Sequence, residues 1–284
     1  MRLDGVARVG ILMLMYCTNC GRRQLEGATY CYYCGHPLDP FEPVSQATRG
    51  PVRRRRGAVP WRGGQVAAGI LLVVIAIVPA AAAAAGAGHL AGRYGEAVTA
   101  WVSSHLIGIA IIAVVWRLGL KRYGAPVSAV GLAPPGLPQA KTVFMTLGAL
   151  GASLAATAGY SAIVDLLGAD VLSPPDISAD IVFPGPAVLL TFQALAVWTP
   201  LTEELFFRGF IFAGLCPFLG VRWAVVASAV VFSLFHLPAG VLIPVFITGL
   251  LLAWLYQKTG TLWPSIMAHA AQNALAVAVE VYRV

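Results

Sequence analysis

Charged residues are scarce in this sequence. Asp and Glu number 12 and Lys and Arg 19 among 284 residues, so 11% of the chain is charged, whereas soluble domains usually have about a quarter. Hydrophobic residues make up 58% of the chain. This composition excludes an ordinary soluble domain and predicts a membrane protein.

Three absences exclude familiar classes of protease. The sequence has no H-E-x-x-H pair of a zinc protease and no G-x-S-x-G turn of a serine hydrolase. It also lacks a pair of aspartates inside its apolar segments, because Asp165 and Asp170 fall at the end of one segment and in a loop. Any hydrolytic chemistry in this chain needs a different set of residues.

Residues 1–15 lack the features of a secretory signal. Their apolar part, residues 9–15, is short, and no A-x-A cleavage pattern follows it. Met13 or Met15 would serve as a natural start. We therefore interpret residues 1–15 as a candidate mis-called extension.

Four of the five cysteines form the pattern C-x2-C-x10-C-x2-C: Cys17, Cys20, Cys31 and Cys34. A glycine follows each pair and permits the tight turn that lets four thiolates surround a zinc ion. We predict a zinc ribbon over residues 16–38, with a structural zinc and a role in docking a protein partner. Two disulfides are the alternative, but the arginines that follow indicate a reducing cytoplasm.

Residues 39–64 are rich in Pro, Gly and Arg and have no apolar period, which predicts a flexible linker. Its arginines precede the first long apolar run: Arg49, Arg53, Arg54, Arg55, Arg56 and Arg62. Basic residues beside a membrane span favour the cytoplasmic side, so we predict a cytoplasmic N-terminus in the plasma membrane. A nucleic-acid-binding arm is the weaker alternative, because no aromatic residues alternate with the arginines. We therefore predict no nucleic-acid partner.

Residues 65–284 are predicted to form an all-α polytopic membrane domain. Since one span needs about 20 mostly apolar residues, eight candidates follow: 66–86, 101–120, 141–167, 186–202, 204–220, 222–239, 241–257 and 262–282. Eight spans cannot place Arg208, Arg222 and Lys258 all in the cytoplasm, whereas seven spans with a re-entrant 204–220 could. We keep eight spans, because a segment 204–220 that crosses the membrane would bring Glu203 and His236 to the same depth in the bilayer.

Ionisable residues inside apolar spans are costly unless they pair or face a cavity, so each is a candidate functional residue. Glu204 and Arg208 stand four apart on one helical face and can pair. Glu203 points about 100° away from that face. An unpaired carboxylate in a poorly solvated site suits a general base.

A histidine lies in each of two apolar segments that follow these glutamates and also have helical spacing. His236 follows Phe232 by four residues, and His269 shares a face with Asn273 by the same spacing. Each alone has a structural interpretation, as a group that bonds a backbone carbonyl or joins two helices. Together with Glu203 they supply a base, a partner for that base and hydrogen-bond donors, which favours a functional set.

The three patterns resemble those of the CAAX prenyl endopeptidase and bacteriocin-processing family of intramembrane proteases: E-E-x-x-x-R, then F-x-x-x-H, then H-x-x-x-N. The resemblance covers residues 185–282, with no departure in motif residues or their order. It implies a helical core in membrane lipid that hydrolyses peptide bonds in a membrane-associated peptide or protein. Glu203, Glu204, Arg208, His236, His269 and Asn273 are the catalytic set that it implies.

Two mechanisms are consistent with this resemblance. In the one we favour, Glu203 assisted by His236 deprotonates a water, and His269 and Asn273 donate hydrogen bonds to the oxyanion. In the other, Glu203, His236 and His269 hold a catalytic zinc. A different class of function is a non-catalytic immunity or scaffold protein that docks a partner through its zinc ribbon. A small transporter is a third class, but it predicts an internal repeat that the sequence lacks.

Overall fold

The computed structural model describes residues 15–16, 23–24, 59–134, 137–175 and 178–283. The cysteines predicted to bind zinc lie outside these residues. Two short strands, β1 (Met15–Tyr16) and β2 (Arg23–Gln24), pair in antiparallel register, with Met15 opposite Gln24. The rest of the described chain is helical or forms connections between helices.

The helices follow in chain order. The α-helices are α1 (Gly63–Leu90), α2 (Gly95–Val114), α3 (Gln139–Leu167), α4 (Val188–Phe192), α5 (Thr199–Glu204), α6 (Ala213–Leu234), α7 (Ala239–Thr259) and α8 (Trp263–Arg283). Three π-helical segments continue or join them: π1 (Val115–Leu120), π2 (Gln193–Trp198) and π3 (Leu205–Phe212). Short 3₁₀ turns occupy the connections: Gly92–Tyr94, Lys121–Tyr123, Val127–Val130, Asp170–Leu172, Ala179–Ile181 and Gly185–Ala187.

Five helical stretches of the described chain are long and apolar enough to cross a membrane: Gly63–Leu90, Gly92–Tyr123, Gln139–Leu167, Gly185–Leu234 and Ala239–Thr259. They fit a multi-pass membrane protein. The prediction of eight separate spans is not confirmed, because 186–202 and 204–220 belong to one unbroken helical stretch. Glu204 finds partners inside the bundle, so the helix does not need to end there in order to reach water.

A bend at Gly220 turns this long stretch back on itself. Its φ of 69° and ψ of 163° interrupt the helical backbone, and a residue without a side chain tolerates this conformation best. The rings of Phe207 and Phe232 lie 5.0 Å apart. A straight helix would hold them about 37 Å apart. The chain therefore forms a helical hairpin that brings the residues before and after the bend together.

One end of the bundle gathers several connections. The Leu262 N–H donates to the Gly131 carbonyl at 3.0 Å, which joins the α7–α8 connection to the α2–α3 connection. The Gly220 bend lies at this end too, because Phe212, Ala224 and Leu262 share one buried cluster. Basic residues in or beside these connections therefore lie at the same end: Lys121, Arg122, Arg222 and Lys258. The helical hairpin thus places Arg222 and Lys258 at one end of the bundle, whereas Arg208 is buried in its centre.

The segment before α1 packs against the bundle, although the sequence predicted a linker up to residue 64. Val59 and Trp61 are buried, and the Trp61 Nε1–H donates to the Phe210 carbonyl at 2.9 Å. The two rings also stack, with centroids 5.6 Å apart. A side chain at Gly214 would meet the indole at 2.8 Å. The apolar character of these two residues, and not the Pro and Gly content around them, determines their packing.

Candidate active site

Glu204 and Arg208 form an ion pair in the centre of the bundle. The Arg208 Nη1–H donates to Glu204 Oε1 at 2.7 Å, as the four-residue spacing predicts, and both side chains are fully buried. Arg208 Nη2 also donates to the Gly249 carbonyl at 3.2 Å, which joins the pair to α7. A buried charge that keeps such partners is tolerated, whereas one without them is very costly.

His269 from α8 lies between the two glutamates. Its Nδ1 is 2.9 Å from Glu204 Oε1, and its Nε2 is 3.8 Å from Glu203 Oε2. An ionised carboxylate only accepts hydrogen bonds, so Nδ1 is the donor to Glu204. This contact directs Nε2 towards Glu203 at a distance too long for a direct hydrogen bond. The two glutamates therefore have different tasks, because Glu204 holds Arg208 and His269 while Glu203 does not.

Phe232 connects the second histidine to this centre. The Arg208 guanidinium lies 4.3 Å above its ring, and the rings of His236 and His269 are 4.8 Å and 5.7 Å away. His236 Nδ1 donates to the Phe232 carbonyl at 2.9 Å. The phenylalanine of the F-x-x-x-H pattern is thus the common neighbour of three predicted site residues, a role that its spacing alone did not reveal.

Asn273 contacts the backbone of the long helical stretch. Its Nδ2 donates to the Leu195 carbonyl in π2 at 2.9 Å. The helix carrying the glutamates has π-helical geometry on both sides of α5, and such segments often occur at functional sites. Asn273 fixes the first of these segments, and Trp61 fixes the second through Phe210.

A cavity of about 160 Å³ opens beside Glu203. Hydroxyl groups and small residues of α2 line one side, and residues of π2–α5 line the other: Ser103, Ser104, Ile107, Gly108, Ile111, Thr199, Thr202 and Glu203. A water molecule needs about 30 Å³ of liquid volume, so this cavity has room for several. The sequence did not identify α2 as part of this site. Two adjacent serines and a histidine within the apolar run of α2 were the signal that could have indicated it.

Some charged groups among Glu203, Glu204 and Arg208 have buried atoms without a hydrogen-bond partner. Within the described part of the chain, Glu203 Oε2, Glu204 Oε2 and Arg208 Nε are buried atoms that have no hydrogen-bond partner. The Glu203 side chain is 20% exposed, whereas that of Glu204 is fully buried. Two carboxylates face one guanidinium, so one proton held by His269 or a glutamate would make the cluster neutral.

The residues described here do not form a metal-binding group. No three His, Cys, Asp or Glu side chains among them are arranged to hold a metal ion. Glu203 and His269 approach each other, but the contacts of His236 are with Phe232. The zinc alternative built on Glu203, His236 and His269 stays a prediction.

An unusual backbone conformation follows His236. Leu237 has a φ of 51°, in the left-handed region that a branched side chain rarely adopts. The residue lies three positions after the end of α6, and its side chain is 82% exposed. Pro238 then leads into α7. His236 therefore lies in the turn between α6 and α7, and its hydrogen bond to the Phe232 carbonyl holds it against the end of α6.

Residues 185–275 match the model of a family described as type II CAAX prenyl endopeptidase Rce1-like. This region contains every residue of the catalytic set predicted above. The match supports a CAAX-type intramembrane protease, in agreement with the resemblance noted from the sequence patterns. No curated protein and no solved structure matches the chain.

Proposed function

We propose that this chain is a membrane-embedded endopeptidase in which Glu203 activates water for attack on a peptide bond. One observation carries the proposal. Glu203 Oε2 lies 3.8 Å from His269 Nε2 at the wall of a cavity with room for water, inside the region that matches the endopeptidase family. The substrate class is a peptide or protein held in or at the membrane.

The contacts of the two glutamates favour Glu203 as the base. Glu204 accepts hydrogen bonds from Arg208 and His269, and proton uptake there would weaken both contacts. Glu203 has no such bond at Oε2 and borders the cavity. A general base must reach its water directly, and the position of Glu203 beside the cavity supports this role.

The proposed reaction uses the chain's own side chains. A water in the cavity gives a proton to Glu203, and its oxygen bonds to the scissile carbonyl carbon. The proton then passes to the amide nitrogen as the carbon–nitrogen bond breaks, and Glu203 is restored. Fixed donors near the oxyanion contribute most in a site that excludes bulk water.

The histidines and Asn273 have supporting roles in this proposal. His236 assists the glutamate through Nε2, because Nδ1 is committed to the Phe232 carbonyl. His269 is held by Glu204 through Nδ1–H, and as an imidazolium it would also donate from Nε2 to the oxyanion. Asn273 uses one amide hydrogen for the Leu195 carbonyl, and its second hydrogen is the other proposed donor.

For the N-terminal region, we propose a structural zinc ribbon on the cytoplasmic side that docks a protein partner. In the sequence, the first C-x2-C pair lies between the two paired strands, Met15–Tyr16 and Arg23–Gln24. The buried Trp61 would then connect the ribbon's linker to the helix that carries Glu203. The basic end of the bundle supports the cytoplasmic orientation.

The test compares membrane proteomes of cells that produce the wild-type chain, Glu203→Gln or Glu96→Gln. Glu96 is an exposed acid at the start of α2 and provides the matched control. Cleavage products should disappear with Glu203→Gln and persist with Glu96→Gln, at equal amounts of protein. A phenotype that survives Glu203→Gln would instead support the immunity or scaffold function.

A further inference from the structure

A closed ring of hydrogen bonds joins α2 to π2. The Trp101 Nε1–H donates to Gln193 Oε1 at 3.1 Å, and Gln193 Nε2 donates to His105 Nε2 at 3.1 Å. His105 Nδ1 then donates to the Trp101 carbonyl at 2.7 Å. An indole N–H can only donate and a carbonyl can only accept, so every proton in the ring has a fixed position.

The same groups are stacked. The His105 ring lies between two indoles, with its centroid 4.0 Å from Trp101 and 5.2 Å from Trp198. The Trp198 Nε1–H donates to the Ser104 carbonyl at 3.1 Å. A side chain at Gly108 would meet Trp198 Nε1 at 2.3 Å, so the glycine permits this close approach of the two helices. We name Trp101, His105, Gln193 and Trp198 the α2–π2 cluster.

The cluster adjoins both walls of the cavity beside Glu203. Ser104 lines the cavity and also accepts the hydrogen bond from Trp198. On the opposite wall, Thr199 directly follows Trp198, and Glu203 lies one helical turn further on. The distance between α2 and the glutamate is therefore determined by how closely the cluster holds the two helices.

We propose that the α2–π2 cluster positions α2 against the helix of Glu203 and thereby limits the access of water to the cavity. Its members do not line the cavity, so they are positioning residues. The inference rests on the proposed function only in identifying Glu203 as the group that needs this water. It means that α2, a helix outside the matched region 185–275, also determines how water reaches the site.

The test measures how fast a reagent in water reaches the cavity. Ser103→Cys, in a full chain that also carries Cys216→Ser, places a thiol on the wall of the cavity. The protein in lipid nanodiscs is treated with a small water-soluble methanethiosulfonate, and mass spectrometry quantifies the labelled peptide. Gln193→Met keeps the length of the side chain and removes both of its hydrogen bonds. We expect labelling to be about tenfold faster, as the loss of two buried hydrogen bonds implies.

Gln272→Met is the matched control. Gln272 is an amide on α8 that accepts a hydrogen bond from Ser153 on α3 and does not line the cavity. Its variant should leave the labelling rate within about twofold, because it changes no contact of α2. Equal rates for Gln193→Met and Gln272→Met would overturn the proposal.

A second variant covers the case in which Gln193→Met does not fold. Trp101→Phe keeps a stacked ring and removes the indole donor, so it should also increase labelling, whereas unchanged labelling would overturn the proposal. The labelling rate does not depend on catalysis. If Glu203→Gln still cleaves substrate while Gln193→Met accelerates labelling, the proposed function fails and the inference about the cluster stands.

Discussion

The first three long helices and the later part of the chain bury different amounts of surface. In α1, the α2 region and α3, 22% of the most apolar window is buried, compared with 39% in Gly185–Leu234 and 44% in α7. The early helices expose apolar side chains where lipid would surround them, whereas the later stretches form the centre of the bundle. Hydropathy describes the first group well, because its main neighbour is lipid. In the second group, contacts within the protein determine where helices continue and turn.

Substitution of the buried ion pair should give the largest difference in the free energy of unfolding between the two regions. Glu204→Ala leaves Arg208 buried without its partner, which should lower the free energy of unfolding by about 3–5 kcal/mol. Asp165→Ala, at the end of α3, should change it by less than about 0.5 kcal/mol. Thermal unfolding in mild detergent measures the change in stability of both variants, as a shift in melting temperature. Equal shifts for the two variants would contradict the central role of the pair.

Trp61 tests whether the central bundle includes the segment before α1. Trp61→Ala should cost about 3–5 kcal/mol, because it removes a fully buried ring. Trp61→Phe keeps a ring against Phe210 and should cost about 1–3 kcal/mol, since the buried carbonyl loses its donor. Trp223→Phe provides the control, because its side chain is 69% exposed. A Trp61→Ala protein with wild-type stability would show that the segment is not part of the core.

The same substitution, glycine to alanine, at one site in each region tests the difference in burial between the two regions. A side chain at Gly209 would meet the Val130 carbonyl at 2.6 Å, whereas one at Gly148 on α3 meets nothing within 4 Å. Gly209→Ala should therefore destabilise the protein by about 1–3 kcal/mol. Gly148→Ala should be neutral or stabilising by up to about 1 kcal/mol, because alanine favours the helix. Similar thermal shifts for both variants would remove the distinction between inner and outer helices.

The smallest expected effect concerns the turn after His236. Leu237→Gly removes the side chain from a left-handed residue, which should raise the free energy of unfolding by about 1 kcal/mol. The exposed side chain has little packing to lose. Circular dichroism during thermal unfolding measures the change, with Leu234→Gly as the control within a helix. A destabilisation equal to that of Leu234→Gly would show that the left-handed conformation carries no strain.

Zinc content tests the N-terminal prediction separately. The wild-type chain should contain about one zinc ion, and Cys31→Ser should lose it. Cys216→Ser should retain the metal, because this cysteine lies in the helical bundle. Elemental analysis of the purified protein gives the ratio. Full zinc content in Cys31→Ser would contradict a four-cysteine site.

Much of the site could be predicted from the sequence because its chemistry is local. The spacing of Glu204 and Arg208 predicted their ion pair, and the patterns around His236 and His269 identified the helices involved. The assignment of partners could not be predicted in the same way. His269 lies between Glu203 and Glu204, because the position of α8 depends on packing between helices that are distant in sequence.

The number of spans was not predictable for a related reason. A charged pair in an apolar run lowers local hydropathy, so Glu203 and Glu204 looked like the boundary between two spans. In the folded chain, Arg208 and His269 supply partners for Glu204, and the helix continues through the pair. The turn occurs at Gly220, where the predicted spans 204–220 and 222–239 also meet.

The most direct test is cleavage in water labelled with oxygen-18, with purified protein in lipid nanodiscs and a substrate identified from the proteome comparison. We expect that the wild-type chain and Glu96→Gln place one heavy oxygen in the new carboxyl terminus of the product. We expect no product from a folded Glu203→Gln variant. Labelled product formed by Glu203→Gln at the wild-type rate would contradict the claim that Glu203 activates the water.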